Sequence, residues 1–342
     1  MKLGIVLQGL AALTFATSAW AQTQPILPSQ WQSTHNAANS LVGQIYSGAG
    51  TPVSQQELMA ATARANFVLL GENHDNPDHH LIQANILRVV TSSSRRPALV
   101  WEMVPQRLAD QINKYDLTID PQLNDYALRL EWEQRGWYSW DIYRPIALVA
   151  ARAGLTMVAG NLDRSQTRDI SKKGVEVLSS QQQAAFALTT PLAQQTQENL
   201  VEELRQSHCN LLPDRALPSM VTVQRARDGA LADAMIRSSV GNESDGAVLI
   251  AGNGHIRNDR AAPFVLRQRL DGQASSIAIA ILEVAPGETD FADYIAPSSQ
   301  EATATKSVPP LYDFVIFTPK FDNTDHCAAL HEQFKKMKKT KP

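Results

Sequence analysis

The chain has 342 residues, and 34 aspartates and glutamates slightly outnumber 31 lysines and arginines, which gives a formal net charge of −3. Nucleic-acid binding requires clustered positive charge, so this balance argues against a nucleic acid as partner. The length allows one large domain or two small ones with a full hydrophobic core.

The first 21 residues are typical of a secretory signal. Lys2 is followed by a mostly apolar run from Leu3 to Ala16, and Ala19-Trp20-Ala21 fits a cleavage site. The run is shorter than the ~20 apolar residues of a membrane-spanning helix. No cysteine stands at the cleavage point, so the sequence does not support a lipid anchor. We therefore expect an exported, soluble periplasmic protein whose mature chain starts at Gln22, with a flexible lead-in over 22–36.

Short, continuous apolar runs follow along the rest of the chain. Such runs are typical of strands buried on both faces of a parallel sheet, and helical patterns lie between most of them. We predict an α/β fold over 37–320, a mostly parallel sheet flanked by helices in three layers. The runs are Phe67–Gly71, Ala98–Glu102, Leu155–Ala159, Gly246–Ala251, Ser276–Leu282 and Asp313–Phe317.

Two stretches are too long for simple crossovers between strands. The segments at about 104–135 and 165–219 have helical patterns, and the second is rich in glutamine and broken by prolines. We interpret both as helical insertions that cap one edge of the sheet. Residues 321–342 are predicted to form a C-terminal tail with a basic end.

Polar side chains follow the first apolar run. Glu72, His74, His79 and His80 fall within nine positions, and Asn76-Pro77 predicts the start of a helix. Ligands of open α/β sheets bind beyond the carboxyl ends of the strands, and a helix N-terminus favours anions. The alternative is a polar turn with incidental histidines.

Three later motifs reach the same predicted edge. A glutamate that closes an apolar strand, as Glu102 does, is costly unless it is paired or faces a site. Gly252-Asn253-Gly254 would let the backbone approach a ligand and would place His255 beside it. Arg227 and Asp228 are either part of this site or a solvated ion pair on a helix.

An aromatic segment lies before the third strand. Trp137, Tyr138, Trp140 and Tyr143 fall within seven residues. Aromatic rings stack on flat apolar ligands, and a tyrosine oxygen can ligate ferric haem iron. The competing interpretation is that these rings pack a helix onto the sheet.

The chain has two cysteines, Cys209 and Cys327. In an oxidising compartment they could form one disulfide, and two unpaired thiols are the alternative. His208 and His326 stand beside them, but the spacing lacks the patterns of zinc sites.

In their order and placement, these motifs resemble the ChaN family of haem-binding proteins, in the wider group of the Tiki proteins and the erythromycin esterases. The resemblance covers about 43–284. Its motifs are Gly71-Glu72-x-His74 with His79-His80-x-x-Gln83, Glu102-Met103-Val104-Pro105, Trp140-x-x-Tyr143-x-Pro145, Arg227-Asp228 with Met235, and Gly252-Asn253-Gly254-His255.

The resemblance implies a haem-binding protein of the bacterial cell envelope that takes part in haem and iron uptake. It further implies a homodimer with haem at its interface, iron bound through a tyrosine oxygen, and an outer-membrane haem receptor as partner. Tyr143 is the best motif-matched iron ligand, with Tyr115, Tyr126 and Tyr138 as alternatives. The implied haem-binding residues are Glu72, His74, His80, Glu102, Trp140, Tyr143, Arg227 and His255.

The same pocket allows a second hypothesis, a hydrolase. His74 would activate water as general base, and Glu102 would orient His74 or hold the water. Arg227 and His255 would stabilise the developing oxyanion. A divalent metal ion held by His and Glu is a variant of this hypothesis. We favour haem binding, because the resemblance to the haem binders is closer.

Overall fold

The computed structural model describes residues 25–92, 94–114, 119–239, 244–295, 309–325, 327–328 and 330–332. The predicted signal, the start of the lead-in and the basic end of the tail lie outside these residues.

Seven strands form one sheet in the order β1-β7-β6-β2-β5-β3-β4. Every neighbouring pair is parallel except β1 and β7. All six predicted strands are confirmed, and β1 is an additional edge strand. The strands are β1 (Ile45–Ser47), β2 (Phe67–Glu72), β3 (Ala98–Pro105), β4 (Met157–Asn161), β5 (Ala247–Gly252), β6 (Ser276–Glu283) and β7 (Phe314–Thr318).

Helices cover both faces of the sheet. The α-helices of the described chain are α1 (Gln55–Arg64), α2 (Pro77–Val90), α3 (Ala109–Ile112), α4 (Asp120–Arg129), α5 (Trp140–Arg152), α6 (Arg164–Lys173), α7 (Ser180–Ala185), α8 (Gln194–Ser207), α9 (Leu217–Ser238), α10 (Ala262–Leu270) and α11 (Phe291–Tyr294).

The core is split by the sheet because successive side chains of a strand point to opposite faces. Val68 and Leu70 of β2 pack in the cluster that includes α1, α2 and α5. Phe67 and Leu69 of the same strand pack in the cluster that includes α9 and α10. The predicted three-layer α/β arrangement is therefore confirmed.

Local capping chemistry fixes the starts of α1 and of α2, the second of which the sequence predicts. The Ser54 hydroxyl accepts a hydrogen bond from the Glu57 amide, and the Glu57 side chain accepts from the Ser54 amide in return. The Asn76 side chain accepts from the Asp78 amide, and Pro77 is the first residue of α2. α2 thus begins directly beyond the end of β2.

Both predicted insertions are largely helical. The first contains α3 and α4, and the second contains most of α6 together with α7 and α8. α6 follows the edge strand β4, and α6 and α8 pack against α9. This arrangement places the second insertion beside the carboxyl ends of β3 and β4.

A disulfide joins Cys209, just after α8, to Cys327 in the tail, with the two Cα atoms 5.4 Å apart. Neither thiol is therefore available as a metal ligand. No helix in the described part of the chain is both long and apolar enough to cross a bilayer.

Candidate functional site

The first polar network surrounds Glu72, the last residue of β2. Its carboxylate is buried, with Oε1 2.6 Å from His74 Nδ1 and Oε2 2.7 Å from His80 Nδ1. The Tyr143 hydroxyl donates to the His74 carbonyl at 3.1 Å and lies 3.4 Å from Glu72 Oε1. The structure thus brings together four residues that the sequence assigned to one pocket.

The charges of this network stabilise each other. Burial opposes ionisation of Glu72, but His80 and His74 outweigh it and lower the pKa of Glu72 to about 2. Burial also opposes a charged His74, but Glu72 outweighs it and raises the pKa of His74 to about 9. At neutral pH the pair is therefore an ion pair, and His74 is its solvent-accessible member, with 31% of its side chain exposed.

The second network surrounds Glu102 in β3. Its carboxylate accepts hydrogen bonds from Arg227 Nη2 at 2.6 Å and from the Gly252 amide at 2.8 Å. His255 bridges this carboxylate and Asp228, with Nε2 3.2 Å from Glu102 Oε1 and Nδ1 2.5 Å from Asp228 Oδ1. Arg227 and Asp228 are thus parts of a buried network, and a solvated ion pair on an exposed face is excluded.

Burial and charge act against each other in this second network too. Burial opposes ionisation of Glu102, but His255, His74 and Arg227 together hold its pKa well below the ordinary value. At Asp228 the effect of burial outweighs that of the nearby cations, so the pKa of this carboxyl is raised. Burial opposes a charged His255, yet Glu102 and Asp228 raise its pKa.

The two networks meet at Gly252. A Cβ atom at this position would lie 3.1 Å from His74 Nε2 and 3.7 Å from Glu102 Oε2. Gly252 therefore allows the close approach that its place after β5 suggested. The predicted convergence of His74, Glu102 and His255 at one end of the sheet is found in the structure.

A cleft of about 560 Å³ opens beside the second network, whose Glu102 and Arg227 line it, whereas His74, Gly252 and His255 do not. Its volume lies in the range of small-molecule and cofactor sites. Glu102 and Asn161 stand at the strand ends, and the apolar lining includes Trp137, Leu162 and Val223. The Trp137 ring packs edge-on against His74, with ring centroids 5.0 Å apart. Arginines of the lining are Arg107, Arg135, Arg164 and Arg227.

Sequence reasoning did not identify Arg107, Arg135 or Arg164. These three residues lie in or next to the helical insertions, whose position on the sheet is set by long-range packing. Arg107 pairs with Glu131, and Arg135 donates to the carbonyls of Met103 and Leu130. The short segment after β3 and the start of α6 therefore give the cleft its positive charge.

The structure does not place Trp140 on the cleft. Trp140 is 6% exposed and packs against Trp132 and Tyr126, with ring centroids 4.9 and 5.4 Å away. The expectation of a stacking surface for a flat ligand at this residue is corrected, because the ring is buried among other aromatic side chains. The competing interpretation, a helix packed onto the sheet, describes Trp140.

Tyr143 is also buried. Its ring lies 3.9 Å from that of His80, and its hydroxyl is used within the first network. Burial, with the nearby Glu72 and Glu102, raises the pKa of Tyr143. An iron ion has no open approach to this oxygen, so the geometry does not fit the assignment of Tyr143 as axial ligand.

The other tyrosines differ in exposure. Tyr126 is 1% exposed and donates to the Ile112 carbonyl, so it too is closed to a ligand. Tyr115 lies outside the described residues. Tyr138, next to Trp137 at the cleft, is 45% exposed. Burial, Asp75 and Asp322 raise its pKa.

His79 has a structural role. The ring nitrogen Nδ1 accepts a hydrogen bond from the Asn73 amide, and Nε2 lies 2.8 Å from the Thr318 hydroxyl. Burial lowers the pKa of His79 to about 3, so its ring is neutral. Within the described ranges no three His, Cys, Asp or Glu side chains are arranged to hold a metal ion. The divalent-metal variant is therefore not supported.

Comparisons with known proteins identify the family and the fold. The family model described as haem-binding uptake, Tiki superfamily, ChaN matches residues 58–266, more than half of the chain. A solved structure described as cofacial haem binding to ChaN of Campylobacter jejuni has 18% identity and a TM-score of 0.58, covering 80% of this chain and 95% of that one. This likeness shows the fold. No curated protein sequence matches.

More distant structures are also similar. A mutant of the erythromycin esterase EreC, in its open conformation, has 14% identity and a TM-score of 0.44 over 83% of this chain and 99% of that one. The type III effector HopBA1 has 12% identity and a TM-score of 0.43 over 77% and 92% of the two chains.

Proposed function

Since the chain belongs to the ChaN family of haem-binding uptake proteins in the Tiki superfamily, we propose that it binds haem in the cell envelope and serves haem and iron uptake. The observation that carries this proposal is the extent of the family match. Residues 58–266 include both polar networks and most of the cleft.

The residues of the cleft fit a haem. A haem site needs apolar surface, an axial ligand, and cationic or hydrogen-bonding partners for two propionates. Trp137, Leu162 and Val223 supply apolar surface, and the arginines of the lining supply cations. When bound, haem would contribute its iron, and the protein would contribute orientation and charge.

We assign the axial ligand to Tyr138. It is the described tyrosine that is exposed and that follows a lining residue, Trp137, in the chain, although Tyr138 itself is not part of the lining. A tyrosine oxygen is a known ligand of ferric haem iron. The raised pKa of its phenol requires that the iron itself displace the proton, as metal ions do for their ligands.

A haemin titration of the chain from residue 22 onward tests this proposal. We expect a stoichiometric change of the Soret band in the wild type and in Tyr46→Phe, a control on the distant strand β1. In Tyr138→Phe we expect at least a tenfold weaker affinity and a loss of the phenolate charge-transfer band. Wild-type protein without a Soret change would refute haem binding, and an unchanged Tyr138→Phe spectrum would refute the ligand assignment.

Export and assembly belong to the same proposal. The charged start, apolar run and small-residue end of residues 1–21 support export to the periplasm. We propose that a homodimer binds haem there and exchanges it with an outer-membrane receptor. N-terminal sequencing of the protein from a periplasmic fraction should give Gln22. Sedimentation with and without haemin should show the dimer, and a monomer under both conditions would contradict it.

The hydrolase hypothesis has less support. A general base must be unprotonated at the working pH. With a pKa of about 9, His74 is protonated at pH 7 and is fitted to donate a hydrogen bond or hold an anion. The family match also favours haem over a hydrolytic substrate.

A further inference from the structure

A second recess, of about 420 Å³, adjoins the cleft and shares Arg164, Thr167, Val223 and Arg227 with it. We call it the arginine recess. α6, α8 and α9 form its walls. Its lining contains three arginines and no aspartate or glutamate, although acidic residues outnumber basic ones in the chain. The recess is therefore a local concentration of positive charge in a mildly acidic protein.

One face of α6 supplies much of this lining. Arg164, Thr167, Arg168 and Ser171 follow the spacing i, i+3, i+4 and i+7, which places them on one side of a helix. This arrangement is unfavourable for the helix alone. Like charges four residues apart repel, and cations near a helix N-terminus oppose its dipole.

The protein does not neutralise these two charges. Neither Arg164 nor Arg168 has a side-chain ion pair or hydrogen bond among the residues that the structure describes. Other arginines vary in this respect: Arg205 is paired with Glu202, whereas Arg215 also has no side-chain partner among the described residues. Arg164 and Arg168 are both exposed and line the recess, so their guanidiniums are accessible to a partner from outside the chain.

The third arginine is held in position by the site already described. Arg227 donates from Nη2 to Glu102 and from Nε to Asn161, and 25% of its side chain remains exposed. It therefore faces the recess as a fixed cation. Leu204 of α8 and Met220 of α9 add apolar surface to the recess.

We propose that the arginine recess is an oxyanion subsite, in which Arg164, Arg168 and Arg227 bind a carboxylate or phosphate group. Planar guanidinium groups match both anions with paired, charge-assisted hydrogen bonds. The group has two sources. The bound group is either a propionate of haem in the adjoining cleft, an assignment that rests on the proposed function, or the oxyanion of a separate small ligand.

The test compares three probes: haemin, the dimethyl ester of haemin, and inorganic phosphate. Each is titrated against wild type, Arg164→Gln/Arg168→Gln and the control Lys172→Gln/Arg215→Gln. The control removes the same charge from exposed positions outside the recess. Haemin binding is read from the Soret band and phosphate binding from calorimetry, after circular dichroism has shown that the variants are folded.

A tenfold or larger loss of haemin affinity in the arginine variant, with unchanged ester affinity, supports a propionate in the recess. A tenfold loss of phosphate affinity with unchanged haemin affinity supports a separate anion. The proposal is overturned if the arginine variant matches the control with all probes, or if haemin and its ester weaken equally. Wild type that binds phosphate but no haemin would refute the proposed function and leave the subsite standing.

Discussion

Glu72→Gln should remove the charge that holds His74 protonated. In the wild type the pKa of His74 is about 9, because Glu72 outweighs the effect of burial. With a neutral glutamine, burial and Arg227 still oppose the charged ring. Since Glu102 still favours the charged ring, we expect the pKa of His74 to fall from about 9 towards its ordinary value of 6.5, and a complete return would correspond to about 3 kcal/mol.

The loss of stability caused by Glu72→Gln should depend on pH. The pKa of His74 is raised from 6.5, so its contribution is complete below about pH 6.5 and is lost as pH rises through 9. The pKa of Glu72 is lowered from 4.5, so its contribution is present above pH 4.5 and is lost as pH falls through 2. The difference in unfolding free energy between wild type and Glu72→Gln should therefore be greatest between pH 4.5 and 6.5.

We expect this difference to be about 2 to 3 kcal/mol in that window, since partial exposure of His74 screens part of the pair. Urea unfolding at pH 5.5 and 9.5 measures it, and an NMR titration of the His74 ring gives the pKa. Glu198→Gln on α8 is the control and should change neither quantity. A wild-type His74 that titrates near 6.5, or a difference that grows towards pH 9.5, would refute the reasoning.

Three further substitutions test the packing around the site. Gly246→Ala should destabilise the protein by more than about 2 kcal/mol in thermal unfolding, because φ is +93° and the new Cβ would lie 1.9 Å from the Asn66 carbonyl oxygen. Cys209→Ser should lower the unfolding free energy by about 2–4 kcal/mol by releasing Cys327, and reduction of the wild type should have the same effect. Trp132→Ala should cost about 3–5 kcal/mol in urea unfolding, since its ring is fully buried, and a loss under 1 kcal/mol would contradict the aromatic core.

The sheet was predictable because buried parallel strands are continuously apolar. Every run of this kind, such as Phe67–Gly71, is a strand in the structure. β1 was missed because its three residues, Ile45–Ser47, pair antiparallel at an edge and are too short to show a pattern. Local hydrogen bonding likewise predicted the helix start at Asn76, since a capping side chain acts within three residues.

The strand-end residues were predictable for a topological reason. Parallel strands bring their carboxyl ends to one edge, so Glu72, Glu102 and His255 had to approach each other once the sheet was assigned. The orientation of the aromatic segment could not be predicted in the same way, because the sequence does not say which face of α5 packs on the sheet. Trp140 and Tyr143, three residues apart, share the face that is buried, while Trp137 and Tyr138 precede the helix and stay near solvent.

Two parts of the fold supply the site, the strand ends and helix α6. The strands supply the coupled pairs Glu72–His74 and Glu102–His255, whose positions follow from the fold. Helix α6 supplies Arg164 and Arg168, whose positions depend on how α6 packs against α9. A change of ligand could therefore be made in α6 without disturbing the sheet. For the proposed subsite we therefore expect selectivity among anions to depend on α6 more than on the strand ends.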